Sequence, residues 1–192
     1  MENILKAVGR YELLTEEESY VFSQAIAGSK SVFLKKGQYL WVHGDLPDYE
    51  IYVCSGLLRQ YVIDNDNEKI LQFYKEEDFF SDCTGQPVAN SVQAIEDCEL
   101  LIIRNPDWGT IAEKYPVMGR IGQKMMEELV QAQRQHLCLL MIANPEERYR
   151  QFLQSNPDLI SRVSVTHLAQ YLGLSRETIS RIRAKVFRSC IS

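Results

Sequence analysis

With 192 residues, 45% of them apolar and 24% charged, the chain can bury one good core with a small second domain beside it, which excludes a disordered chain. The net charge of −5 argues against a surface that binds nucleic acid throughout, but the charge is unevenly spread. Residues 160–192 hold six basic residues (Arg162, Arg176, Arg181, Arg183, Lys185, Arg188) and one acid, Glu177, a net of +5, which leaves −10 on the remainder.

In chain order, Met1 to Ala27 reads as helical, with Thr15 ahead of Glu16, Glu17 and Glu18 as a helix start. From Ser31 to Ile103 the pattern becomes short strands separated by turns: SVFL, QYLWV after Lys36-Gly37, EIYVC before Ser55-Gly56, LLRQYVI, KILQFY after the Asp64 to Asn67 turn, SVQAI and ELLIIR. Regular short strands with such punctuation predict an antiparallel β-roll or jelly roll. After Asp107-Trp108 the period becomes helical.

From Val117 to Ala143 a line of Gly122, Met125, Leu129, Ala132, His136, Leu139 and Ala143 alternates steps of three and four, the spacing of a two-stranded helical seam. A neighbouring line, Met126, Val130, Gln133, Leu137 and Leu140, widens the apolar face and is expected to touch the β-roll. Asn144-Pro145 breaks this helix and opens the next, and Asn156-Pro157 marks a further boundary.

The stretch SVTHLAQYLGLSRETISRIRAKV, Ser164 to Val186, joins two short helices at Gly173. Ser164 is placed to cap the first, whose buried face is Leu168, Ala169 and Leu172; Ser175 is placed to cap the second, whose apolar stripe is Ile179, Ile182 and Val186. The opposite face of the second helix carries Arg176, Glu177, Ser180, Arg181, Arg183 and Lys185, which suits base edges and phosphates. The layout is that of a helix-turn-helix.

SRETISRIR resembles the recognition helix of the Crp/Fnr family of bacterial transcription regulators. The phrases FLKKGQYLWVHGD, EIYVCSGLLRQYVID, EKILQFYKEEDFFSD and QAIEDCELLII also resemble that family's cyclic-nucleotide-binding domain in strand order. The resemblance implies an α+β chain with a sensor β-roll at 1–116, a dimerisation helix at 117–143 and a helix-turn-helix domain at 144–192. It implies a homodimer on near-palindromic double-stranded DNA, with RNA polymerase and a small-molecule effector as further partners. Arg176, Glu177 and Arg181 match the base-reading positions, Arg suiting guanine O6/N7 and Glu the cytosine amino group. Ser164, Thr166, Ser175, Thr178, Ser180, Arg183 and Lys185 are placed for phosphates, and Met125, Leu129, Ala132, His136 and Leu139 for the dimer seam.

The chain departs from the family in two places. The cyclic-nucleotide cassette, a Gly-Glu pair followed by Arg-Ser or Arg-Thr, reads Ser81-Asp82 and then Val88-Ala89, with no arginine between Arg59 and Arg104. An effector pocket at Phe80, Ser81, Asp82, Val88 and Ala89 is therefore expected to refuse cyclic AMP. After the recognition helix only FRSCIS follows, so the wing common in the family is expected to be missing or vestigial.

Other chemistry finds little support. Cys54, Cys83, Cys98, Cys138 and Cys190 form no CxxC pair, and iron–sulfur members of the family place their cysteines near the N-terminus. His43, Cys54 and Cys83 are formally available to a haem, but nothing sets them apart. A cupin-like enzyme would hold a metal on clustered histidines, whereas His43, His136 and His167 are far apart in sequence. The acid groups Asp45/Asp48 and Glu76/Glu77/Asp78 read as solvated turns. No cofactor, metal or catalytic residue is expected, and the chain is not read as an enzyme. A β-roll module with a decayed DNA-binding end remains the alternative. No signal segment opens the chain and no apolar run could span a bilayer, so a cytoplasmic protein without membrane contact is expected.

Overall fold

The structure is a computed structural model that describes residues 2–82, 84–104 and 108–189, with residues 2 and 186–189 described by backbone alone. The N-terminal stretch forms two helices, α1 (Glu2–Gly9) and α2 (Glu16–Ala25). The break follows from the start signal at Thr15. Its hydroxyl accepts from the Glu18 amide at 3.2 Å, while the Glu18 carboxylate accepts from the Thr15 amide at 2.9 Å, a reciprocal capping box that begins a new helix.

Eight strands follow: β1 (Lys30–Leu34), β2 (Tyr39–Trp41), β3 (Tyr49–Ser55), β4 (Leu58–Asp64), β5 (Asn67–Tyr74), β6 (Phe79–Ser81), β7 (Ser91–Ala94) and β8 (Cys98–Arg104). They form two four-stranded sheets, ordered β1-β8-β3-β6 and β2-β7-β4-β5, with antiparallel pairing at β1–β8, β3–β8, β3–β6 and β2–β7. Turn chemistry sets the corners. Asn65 (φ 49°) and Asp66 (φ 62°) make the two-residue turn between β4 and β5, whose left-handed backbone matches strand twist. Gly56 sits at φ 95° beside β8, where a Cβ would lie 2.5 Å from the Asp97 carbonyl oxygen.

Period-two alternation divides the first sheet between two cores. Ile51, Val53, Leu100, Ile102 and Phe80 point into the roll, joining Trp41, Leu58, Tyr74, Val88 and Val92. Tyr52, Ile103 and Phe79 face the other way, against Ile4, Val8, Phe22, Val117 and Ile121 from the helices. The roll is followed by α3 (Trp108–Lys114), α4 (Pro116–Met141) and α5 (Pro145–Ser155), then a 3-10 turn (Pro157–Leu159), α6 (Val165–Leu172) and α7 (Arg176–Ser189).

The chain divides into two compact units, Met1–Gln60 with Phe73–Val130, and Tyr61–Gln72 with Gln131–Ser192. The α4 helix is thus shared between the units, and the β4–β5 tip groups with the C-terminal helices. Among the described residues no helix is long and apolar enough to cross a membrane. The wing expectation concerns the end of the chain, where α7 continues through Ser189 and residues 190–192 lie outside the described set.

Candidate nucleic-acid interface

The helix pair is built by caps and a buried wedge. The Ser164 hydroxyl accepts from the His167 amide at 3.1 Å and starts α6. Gly173 ends it in the left-handed region (φ 62°), its amide and that of Leu174 both returning to the Ala169 carbonyl. Ser175 then opens α7, its hydroxyl accepting from the Thr178 amide at 3.1 Å and donating to the Thr178 hydroxyl at 3.0 Å. Leu168, Leu172 and Ile179 are fully buried, with Ala169, Ile182, Tyr149, Phe152 and Val163 closing the same core. Burial of this kind is worth about 1.5–3 kcal/mol per large side chain, so the outward face of α7 is held by its inward one. The side chain of Val186, the last of the expected stripe, lies outside the described residues.

On that outward face Arg176, Glu177, Ser180 and Arg181 are exposed. Arg176, Glu177 and Arg181 make no hydrogen bond or ion pair among the described residues, so their polar groups face solvent. The expected phosphate set is less uniform. Ser164, Ser175 and Thr178 are engaged as caps, and Thr166 is half-buried. Arg183 is half-buried and donates from Nε to the Tyr149 hydroxyl at 3.2 Å. Lys185 is exposed and pairs with Glu146 at 2.6 Å; with Arg150 on its other side, Glu146 is held below the usual carboxylate range. Ser164, Ser175, Ser180 and Lys185 are the exposed four of the seven, and of these Ser164 and Ser175 are engaged as caps.

The second unit contains a clamp that the sequence reading did not single out. The Arg148 guanidinium donates from Nε (3.0 Å) and Nη2 (2.6 Å) to the Ile142 carbonyl, and from Nη1 (2.7 Å) to the Leu172 carbonyl. One cation therefore serves the C-terminal ends of both α4 and α6, where carbonyls lack helical partners and the helix dipole is negative. Beside it, the His136 ring stacks on Tyr171 (centroids 3.8 Å apart, planes 4°), and its Nε2 donates to the Tyr171 carbonyl at 2.8 Å. Burial holds this imidazole below its ordinary value, with hydrogen bonds to the Tyr171 and Leu71 backbones opposing. At the β4–β5 tip, Glu68 accepts from Gln170 at 3.0 Å.

The two apolar lines of α4 divide differently from the expectation. Of the expected seam, Leu139 is buried and Met125, Leu129, Ala132 and His136 are half-buried, because Met125 packs on the N-terminal helix core and His136 on Tyr171. The neighbouring line, expected against the roll, is the open one: Met126 is 59% exposed, Val130 47%, Leu137 62% and Met141, one turn on, 78%.

The cassette residues are likewise redistributed. Phe80 stacks on Tyr74 (3.8 Å, 5°) and tilts against Trp41 inside the roll, and Val88 is buried in the same cluster. Asp82 accepts from Asn90 Nδ2 at 2.6 Å, while Asn90 Oδ1 accepts from Trp41 Nε1 at 2.9 Å. Ser81 and Ala89 are exposed. Arg59, buried on β4, spends Nε and Nη2 on the Gln93 amide oxygen at 3.0 and 2.7 Å. Of the five positions, Phe80 and Val88 are buried, Asp82 holds a buried amide, and Ser81 and Ala89 are exposed.

Residues 31–115 match the family described as the cyclic nucleotide-binding domain. The chain is 27% identical over 190 residues to the fumarate and nitrate reduction regulatory protein of Vibrio cholerae, covering 92% of this chain and 75% of that one. It is 28% identical over 166 residues to the transcriptional activator protein Anr of Pseudomonas protegens, covering 78% and 67%. Among solved structures it is similar to FixK2 from Bradyrhizobium japonicum (TM-score 0.74, 21% identity, 85% of this chain and 86% of that one). It is similar in the same degree to a CooA mutant from Carboxydothermus hydrogenoformans (TM-score 0.74, 21% identity, 97% and 85%). The chain is similar to these regulators over most of its length, and residues 31–115 match the cyclic nucleotide-binding domain. These relatives are transcription regulators.

The helix-turn-helix layout was legible from caps and spacing, whereas Arg148, Tyr149 and Tyr171 were not. Their only signal is that they are polar residues on faces that would otherwise be written off as solvated.

Proposed function

We propose that this chain is a sequence-specific DNA-binding regulator that acts as a homodimer in the cytoplasm, with Arg176, Glu177 and Arg181 reading base edges. The observation that carries the reading is an outward face of α7 bearing those three side chains over a fully buried inner face. Bidentate Arg pairs with guanine O6/N7, and Glu accepts from the cytosine amino group. Phosphate contacts fall first to Ser180 and Lys185, because both are exposed and the Lys185–Glu146 ion pair is of the exposed kind worth about 0–1 kcal/mol. Ser164, Ser175 and Thr178 contribute through the capped helix starts they build, Thr166 through its hydroxyl, and Arg183 through its hydrogen bond to Tyr149, which holds α7 on α5.

The dimer forms along the open face of α4, with Met126, Val130, Leu137 and Met141 at its centre and Met125 and Leu129 at its edge. Exposed apolar side chains at steps of four and seven on a 26-residue helix support that pairing. Two such readers about one DNA turn apart, roughly 34 Å, call for a near-palindromic operator. RNA polymerase is a further partner of a regulator that activates.

The effector is not cyclic AMP. A cyclic phosphate carried into the roll would meet Phe80, Tyr74 and Trp41 in place of a guanidinium, with the Asp82 carboxylate nearby. Selection of bound fragments from a random DNA pool, followed by anisotropy titration on the selected site, tests the reading. A defined, two-fold related consensus is expected, and recovery of unselected sequence alone would refute it.

A further inference from the structure

The first unit contains a cavity of about 360 Å³ on the helical side of the β1-β8-β3-β6 sheet, away from the interior of the roll. Its walls are Phe22, Ile103, Trp108, Met118 and Met125, and its one acidic group is Glu50 of β3. The volume lies within the range of small-molecule sites, and an apolar wall with a single polar handle is their usual composition.

Glu50 is oddly placed for a structural residue. It follows from period two that Glu50, like Tyr52, points outward from β3 toward the helices. Its side chain is half-buried, and both carboxylate oxygens accept from one donor, Trp108 Nε1, at 3.0 Å each. No ion pair is formed to Glu50 among the described residues. A shared indole N–H satisfies a fraction of what two carboxylate oxygens can accept. Burial accordingly pushes the Glu50 carboxyl above its ordinary range, with the Trp108 hydrogen bond opposing. The cavity is thus apolar, negative at one point and lacking a counter-charge.

We propose that this cavity binds a small apolar cation, an alkyl or aryl amine whose ammonium meets the Glu50 carboxylate and whose body fills the space between β3 and α4. Charge complementarity selects the cation. An anion such as a cyclic nucleotide would be repelled, and a neutral ligand would leave the buried carboxylate as it stands. The proposal deepens the reading of this chain as an effector-responsive regulator and rests on it only for the consequence of binding. Met118 and Met125, which line the cavity, lie on α4, so an occupant bears on the helix proposed to pair the two chains.

The test uses the full chain without DNA, so its outcome does not depend on whether the chain reads an operator. Phenylbutylamine, phenylbutanol and phenylbutyrate are titrated as a cation, neutral and anion series by calorimetry, alongside methionine-methyl NMR. The amine is expected to bind with a dissociation constant on the order of 100 μM, about tenfold tighter than the alcohol, with the acid weaker still. The Met118 and Met125 methyls should shift and Met141 should not. Glu50→Gln, which keeps an acceptor for Trp108, should erase the advantage of the amine and leave the alcohol unchanged. Equal affinities across the series, or shifts confined to Met141, would overturn the proposal. So would methyl shifts that follow protein concentration alone while the amine fails to bind, because a second copy would then fill the cavity.

Discussion

Arg148 offers the most direct test of how the second unit, the one proposed to read DNA, is held together. Arg148→Met keeps an unbranched, partly apolar stem and removes all three N–H donors. Two carbonyls, Ile142 and Leu172, then lose their partner at the C-terminal ends of α4 and α6. Hydrogen bonds to a charged group are worth about 1.5–3 kcal/mol each, which would give a gross loss of roughly 4–9 kcal/mol for three. Two of the three converge on one oxygen and count for little more than one. The side chain is only half-buried, so water refills part of the deficit. A net loss of about 2–4 kcal/mol remains. Arg148→Lys should restore about half of it, because a single ammonium reaches one carbonyl and cannot reproduce the planar fork. Urea unfolding followed by far-UV circular dichroism reads the loss. Tryptophan fluorescence is the internal control, since the two tryptophans, Trp41 and Trp108, both lie in the first unit. The circular dichroism midpoint should fall for Arg148→Met while the fluorescence midpoint moves far less. A destabilisation under about 0.5 kcal/mol, the ordinary range of an exposed substitution, would refute the clamp.

Arg181→Ala should cost about 1–3 kcal/mol on the selected operator and flatten the preference at one base pair, whereas equal loss on random DNA would contradict base reading. Lys185→Ala should weaken binding to every sequence and lower the salt slope by about one unit. Calorimetry with cyclic AMP up to millimolar ligand should show no binding, and a low-micromolar constant would show that the aromatic packing of Phe80, Tyr74 and Trp41 yields to the ligand. Glu12, held at about 2 by Arg120 and Lys124, contributes stability that is complete above the ordinary carboxylate range of about 4.5 and is lost as pH falls toward 2. Glu12→Gln should flatten the acid limb of the stability profile in that window. Leu137→Glu should shift the proposed dimer toward monomer in light scattering, and an oligomeric state unchanged from the parent chain would refute pairing along the open face of α4.

Residues whose role is set locally were legible in the sequence. Ser164, Gly173 and Ser175 act through backbone groups within a few positions of themselves, so spacing suffices to place them. The strands bounded by Lys36-Gly37, Ser55-Gly56 and Asn65-Asp66 were equally plain, because the turns need left-handed backbone at Gly37, Gly56, Asn65 and Asp66. The short strand β6 was not, since Phe79–Ser81 is three residues inside an acidic stretch and shows no alternation. The two lines of α4 have the same period and differ only by a rotation of one residue. Which of them opens to solvent is decided by Tyr171 and the N-terminal helices, and nothing within α4 encodes those. The cassette is the reverse case. Its missing arginine could be read directly, but the side chains that take the space, Phe80, Tyr74 and Trp41, come from three strands brought together by the roll.

The open face of α4 bears on DNA recognition because a single reader is weak. The three side chains proposed to read bases, at about 1–3 kcal/mol each, supply at most roughly 9 kcal/mol. Immobilising the chain on DNA and ordering two long Arg side chains costs an amount of the same order, about 4–15 kcal/mol. Phosphate contacts add to the gain, but a net −10 outside residues 160–192 sets a limit on how far general electrostatics can carry the chain onto DNA. Pairing changes the arithmetic without adding a contact to either half-site. Once one recognition helix is seated, the second meets its half-site at an effective concentration on the order of millimolar, which raises overall affinity by about 10²–10⁴. A charge in the helix pair at Leu137 should therefore leave affinity for an isolated half-site unchanged and remove most of the affinity for the full operator. A direct role of Leu137 in holding α7 would instead lower both together.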